Sequence, residues 1–315
     1  MRIFVAGGTG AIGRPLVTQL VGSGHEVTVF SRSAERVRAL GVAAARASVG
    51  DAMRPESLTR AIAEAQPEVV INQLTNLAQS AGPLALRKGL SQTAQLRQHA
   101  SATLVRAARA AGARRIISQS ISFIYRPGPG TRTEDDPLWT DAGGQIGASA
   151  VPLATLESET LGSEGIEGVV LRYGAFYGPG TYYAPEGALS GLVRKRRMPL
   201  IAKAAGIFGF VHIDDAARAT LAALEGPIGI FNVLDDVPAP TSEWIPFMAG
   251  LLGAKSPRHV PEGLAKLAMG PQTTYLMCSQ PAVSNRRART ELDWSPRFAD
   301  WHAGFADVFG PTGTT

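Results

Sequence analysis

The sequence predicts an α/β fold, a doubly wound parallel sheet flanked by helices, with a smaller interleaved C-terminal subdomain. Three observations predict it. Short β-rich apolar runs alternate with helical patterns from Arg2 to Val233. A glycine-rich turn, Gly7-Gly8-Thr9-Gly10-Ala11-Ile12-Gly13, separates the first run from the first helical pattern. From Asp235 onward that rhythm gives way to helical segments broken by prolines, the composition expected of a unit that covers a substrate.

Arg2–Ala6 reads as the first strand, and residues 11–21 as a helix with Ile12, Leu16 and Leu20 inward. The turn between them fits G-x-G-x-x-G from Gly8 and G-x-x-G-x-x-G from Gly7. Glycines there let the backbone turn tightly and let a pyrophosphate approach, while the helix N-terminus offers free N–H groups and a positive dipole end. Strand, turn and helix are the context such a motif requires. Gly7, Gly10, Ala11, Ile12 and Gly13 are therefore candidate dinucleotide-binding residues.

Residues 25–30 (HEVTVF) form the second strand, and Ser31-Arg32-Ser33 follows it. An acid at this strand end serves the ribose 2′-hydroxyl of NAD, whereas an arginine accommodates the 2′-phosphate of NADP. No acid follows the strand before Glu35, so Ser31 and Arg32 point to NADP(H) rather than NAD. Residues 34–40 form a short helix and 42–49 a weak third strand. Asp51 reads either as a cap-region acid or as an acceptor for the adenine amino group. A helix starts near Pro55, proline suiting a first turn. Residues 68–74 (EVVINQL) form a buried parallel strand, 85–111 one long helix stopped by Gly112, and 115–120 the fifth strand. A Pro- and Gly-rich loop at 126–147 is long enough to be functional. A helix at 152–161 and a sixth strand at 167–172 follow. The aromatic, glycine-rich stretch 173–183 suits a pocket wall. Asp214-Asp215 are expected to cap a helix through Glu225, with His212 structural, and 228–233 is a late strand.

At 315 residues, with 45% apolar and 18% charged, the chain can bury a full core. No signal-type segment and no apolar run of about 18–20 residues occurs, so neither secretion nor a membrane span is expected. A single cysteine, Cys278, excludes an internal disulfide and fits the cytoplasm. The +5 charge is dispersed, with one dense cluster at Arg194–Arg197, so nucleic acid is not an expected partner. The five histidines lack metal-ligand spacing, and no metal site is expected.

VAGGTGAIG (Val5–Gly13), Gly50-Asp51, VVINQL, AARAAGARRIISQS, TEDDPL (Thr133–Leu138), LRYGAFYGPG (Leu171–Gly180) and VHIDDAARAT (Val211–Thr220) occur in that order. Together they resemble the extended short-chain dehydrogenase/reductase family, the NAD(P)-dependent epimerase/dehydratase group, over nearly the whole chain. The resemblance implies a Rossmann domain at residues 1–175, rejoined by 207–234, and a substrate-binding subdomain at 176–206 and 235–315. It places the nicotinamide near Gln73, Ser120 and Tyr173–Tyr177.

One departure matters. The family's Tyr-x-x-x-Lys dyad would fall on Val151 and Thr155, or on Ser149 and Leu153, and residues 145–164 contain neither Tyr nor Lys. The resemblance then implies an NADP(H)-dependent oxidoreductase of a small carbonyl, imine or activated double bond that uses another proton donor or none. A non-redox cyclase, epimerase or lyase, or a silent NADP-sensing regulator, stays open, as does a homodimer. Ser120, Tyr125 and Tyr177, at or beside the carboxyl rim of the sheet, are the candidate catalytic residues; Gln73 and Tyr173 join the cofactor set.

Overall fold

A computed structural model describes residues 1–77 and 83–310. Seven parallel strands form the central sheet, residues 229–233, 167–173, 115–121, 69–72, 2–6, 26–31 and 46–49 lying side by side in that order. In chain order the elements are β1 (Arg2–Ala6), α1 (Gly13–Gly22), β2 (Glu26–Ser31), α2 (Ala34–Arg38), β3 (Arg46–Val49), α3 (Pro55–Ala65), β4 (Val69–Asn72), α4 (Pro83–Gln95), α5 (Ser101–Ala110), β5 (Arg115–Ile121), α6 (Gly144–Leu161), β6 (Glu167–Tyr173), β7 (Ala175–Tyr177), α7 (Ala188–Arg194), β8 (Leu200–Ile201), β9 (Ile207–Phe208), β10 (Phe210–His212), α8 (Ile213–Ala222) and β11 (Gly229–Val233). After these come β12 (Ala239–Pro240), α9 (Thr241–Leu251), β13 (His259–Val260), α10 (Glu262–Ser279), α11 (Arg286–Glu291) and α12 (Trp301–Phe309). Among the described residues, no helix is long and apolar enough to cross a membrane.

The strands form because Val- and Ile-rich runs fit a sheet covered on both faces. Ile3, Val5, Val27, Val29, Val69 and Ile71 pack with Leu16, Val17 and Leu20 of α1 on one face. Phe4, Val70 and Ile116 pack with Leu58 and Ile62 of α3 and Leu104 of α5 on the other. β1 pairs with both β2 and β4, Ala6 facing Phe30 and Asn72. The strand order reverses there, and open α/β sheets bind ligands in the crevice beyond that point.

A third apolar cluster centres on Trp244, Phe210, Trp301 and Phe305. Phe210 belongs to it, whereas its neighbour Val211 belongs to the cluster on the sheet. Adjacent side chains of β10 thus point into two different cores.

Three local features differ from the sequence expectation. The helix expected at 85–111 is interrupted by a π-helical turn, Leu96–Ala100, between α4 and α5; one extra residue in a turn shifts the helical phase and re-aims the side chains. α6 begins at Gly144 rather than 152 and carries Pro152 inside it. The lost backbone hydrogen bond is offset by the buried face of Ile146, Ala150 and Leu153. The cap of α8 is His212, not the Asp214-Asp215 pair: its Nδ1 accepts the Asp214 N–H at 3.2 Å. Burial lowers the His212 pKa against the pull of Asp214 and Asp215, which suits a neutral ring accepting at Nδ1. Asp215 instead binds Arg218 and the Phe298 N–H, and its carbonyl accepts from the Trp294 indole, tying the C-terminal segment to α8.

Candidate active site

The crevice at the strand-order reversal opens into a cavity of about 1640 Å³. That exceeds the roughly 300–1,000 Å³ of a single-ligand pocket and has room for a dinucleotide with a second small molecule. Its floor is the glycine turn. Gly7 has φ +87°, and a Cβ there would lie 2.4 Å from the Gln73 carbonyl oxygen. At Gly13 a Cβ would lie 2.1 Å from the Gly8 carbonyl oxygen. These two glycines are demanded by the fold itself. Gly10 is different: a Cβ there would meet only the Gly7 carbonyl oxygen, at 3.3 Å, leaving space in front of it. Gly7, Gly10, Ala11 and Ile12 line the cavity, while Gly13 sits behind them. α1 has no side-chain cap and no acid in its first turn, so its leading N–H groups lack an anionic side-chain partner. A small-residue cradle facing such a helix start fits a pyrophosphate.

At one end of the cavity stand Ser31, Arg32, Arg36 and Asp51. The one nearby acid of α2, Glu35, accepts from Arg38 at 3.0 Å and from Ser33, and it does not line the cavity. Asp51 accepts the Met53 N–H at 3.0 Å, while its own N–H donates to Ser57. It therefore acts as a turn-forming acid and also borders the cavity.

At the other end, β5 and β6 supply the wall. Successive strand residues face opposite ways, and Gln119, Ile121 and then Phe123 line the cavity. The hydroxyls have the other parity. Ser118 accepts from Thr160 at 2.8 Å and Ser120 donates to Glu157 at 2.6 Å, both across to α6. Tyr173 borders the cavity, its buried hydroxyl sharing a 2.7 Å hydrogen bond with Thr220. Tyr182 also lines the cavity, and burial raises its pKa. Gln119 and Gln280 are buried cavity residues with amide atoms that find no protein partner. Such orphaned groups are the ones a bound ligand satisfies.

The three candidate catalytic residues stand apart from the cavity lining. Ser120 is held by Glu157. The Tyr125 hydroxyl donates to Asn232 at 2.6 Å and accepts from Arg172 at 2.8 Å, and burial pushes its pKa up to about 12. Tyr177 stacks on Phe305 at 4.9 Å, and burial raises its pKa as well. All three are packed into protein, because the strand parity and the neighbouring cores turn them away from the crevice. On α6, Val151 is exposed, the Thr155 hydroxyl donates to the Val151 carbonyl, and no α6 residue lines the cavity.

Sequence reasoning missed Arg36, Arg97, Gln119 and Gln280. Arg36, on α2, lines the same end of the cavity as Arg32, which precedes that helix. Arg97 enters the wall through the π-helical turn, and no sequence signal announced it.

Comparison with known proteins agrees with this architecture. The chain is 43% identical over 309 residues to a 3-diazoavenalumate denitrifying reductase from Streptomyces sp, covering 96% of this chain and 99% of that protein. In fold it is similar to UDP-glucose 4-epimerase of Thermotoga maritima with UDP-glucose, at TM-score 0.76 and 19% identity over 98% of this chain and 97% of the other. It is also similar to DesIV, a dTDP-glucose 4,6-dehydratase of Streptomyces venezuelae with NAD bound, at TM-score 0.75 and 21% identity over 98% and 96%. A human epimerase family protein with NADPH matches at TM-score 0.72 and 21% identity over 98% and 99%. Residues 3–233 match the model of the NAD dependent epimerase/dehydratase family, and the chain belongs to that family.

Proposed function

We propose that this protein is an NADPH-dependent reductase acting on a small acceptor that is already electron-poor, a diazo-bearing acid being the best candidate. The observation that carries this reading is the 43% identity, over almost the full length of both chains, to a reductase named for a 3-diazo carboxylate. The cavity supports it. The glycine turn and the α1 N-terminus would hold the pyrophosphate, and Arg32 with Arg36 would hold a 2′-phosphate. Gln73, Tyr173 and Gln119 would border the nicotinamide end.

When bound, the nicotinamide supplies a hydride, and the conversion R–N₂⁺ + H⁻ → R–H + N₂ balances without any proton from the protein. The chain's own work is then to bind, orient and keep the site dry. Ile121 and Phe123 present apolar surface where a hydroxyl of the other parity would have faced the substrate. The absence of Tyr and Lys from residues 145–164 suits a reaction that needs no general acid, whose loss elsewhere costs roughly 10²–10⁴-fold.

The test is NADPH oxidation with an aryl diazonium carboxylate, following N₂ release against an enzyme-free control. Enzyme-dependent consumption of one NADPH per N₂, with deuterium passing from 4-deuterated NADPH to the arene product, is expected. NADPH binding without turnover of diazo, imine or enone acceptors would overturn the reading in favour of a nucleotide sensor.

A further inference from the structure

We infer that Arg97 is the anion anchor of the substrate pocket, receiving the carboxylate of an aromatic or conjugated acid. The inference rests on the reductase reading for the place of the substrate, and on four observations of its own. Arg97 lines the cavity while only 7% exposed. Among the described residues, no hydrogen-bond or ion-pair partner meets its guanidinium. The carboxylate whose charge reaches it, Glu157, is already spent: Arg172 binds both its oxygens and Ser120 donates to one. Finally, Arg97 reaches the wall because a π-helical turn interrupts the helix at Leu96–Ala100, and such turns recur at functional sites.

Burial lowers the guanidinium's pKa to about 10, so it is still charged at neutral pH. A buried cation without a counter-charge is unfavourable unless a ligand supplies one. The planar fork of an arginine matches a carboxylate in two parallel hydrogen bonds. The same cavity is lined by Phe123, Phe176 and Tyr182, aromatic surface that suits a flat unsaturated body. The cofactor's phosphates have their own recognition elements at the α1 N-terminus and beside Arg32, so Arg97 is left for the second ligand.

The test uses the NADPH-loaded protein and two unreactive probes, cinnamate and its neutral amide, titrated by calorimetry. Wild type is expected to bind the carboxylate ~10-fold or more tightly than the amide. Arg97→Met should erase that difference with NADPH affinity unchanged, and Arg97→Lys should keep part of it. In the ligand-free protein Arg97→Met should melt no lower than wild type, since it removes an uncompensated charge; a merely structural arginine would melt lower. Equal wild-type affinity for the two probes overturns the inference, as does an Arg97→Met variant that keeps the selectivity or that loses NADPH instead. Because no turnover is needed, failure of diazo reduction would leave this result separately readable.

Discussion

Arg172, at the end of β6, holds Glu157 of α6 in a two-pronged ion pair, Nε to one carboxylate oxygen at 2.9 Å and Nη2 to the other at 2.6 Å. Both side chains are buried. The pair fixes α6 against the sheet beside the cavity wall. Removing one partner strands the other charge in the interior, which costs roughly 3–5 kcal/mol. Arg172→Met or Glu157→Leu alone should therefore destabilise strongly in chemical denaturation, and the double variant should lie closer to wild type than either single one.

The glycines of the turn should separate by role. Gly13→Ala places a Cβ against the Gly8 carbonyl and should destabilise well beyond the ~1 kcal/mol of an average substitution. Gly10→Val has room to fold but fills the space in front of the helix. Its melting temperature should stay near wild type while dinucleotide affinity falls ~10-fold or more, about 1.4 kcal/mol. Unchanged affinity by calorimetry would remove the pyrophosphate from this turn.

Cofactor preference should follow the two arginines at the end of β2 and the start of α2. Arg32→Glu should erase a preference for NADPH over NADH, and Arg32→Glu with Arg36→Glu should reverse it, because a carboxylate repels a 2′-phosphate and accepts from a 2′-hydroxyl. Competition binding of the two dinucleotides measures this. Equal wild-type affinity for both would make Arg32 and Arg36 ordinary surface residues.

Ser120 and Tyr125 should behave as structural residues. Tyr125→Phe leaves Asn232 and Arg172 each short of a buried partner, at a cost of about 1–3 kcal/mol. Ser120→Ala should cost less. Neither should lower kcat by the ~10²-fold that marks a lost general acid; a fall of that size would return the residue to the reaction.

The His212 cap gives a signed pH dependence. Burial holds its folded pKa below the unfolded value of about 6.5. Its contribution is therefore complete above that value and is lost as pH falls and the ring is forced to protonate. His212→Asn, a cap that does not titrate, should flatten the decline in stability between about pH 7 and pH 5. An unchanged slope would assign that decline to other groups.

Much of the sheet was legible, since strands buried on both faces are written as unbroken apolar runs and the glycine turn marks the reversal of strand order. The same burial hid the site. In RIISQSI both faces are covered, so nothing in the letters says that Gln119 and Ile121 face the crevice while Ser120 faces α6. Arg97 reads as one more arginine on a helix surface until the π-helical turn rotates it inward. The early start of α6 was masked by its Gly, Ala and Ser content and by Pro152. The sequence marks His212 as structural at a strand-to-helix junction, and the structure agrees; that it is the cap depends on which side chain reaches the Asp214 N–H, a matter of geometry rather than spacing.

The opposite aims of Phe210 and Val211 bear on how the molecule comes apart. The chain passes from the sheet cluster to the Trp244 cluster between Tyr173 and Tyr177, back between Phe210 and Val211, out again between Val233 and Ala239, back between Met277 and Ala288, and out once more between Trp294 and Trp301. Neither core is built from one continuous length of sequence. A fragment cut at any of these crossings would lack side chains that both cores require, so neither lobe is an autonomous folding unit. Melting should then be a single cooperative event, with calorimetric and van't Hoff enthalpies in agreement.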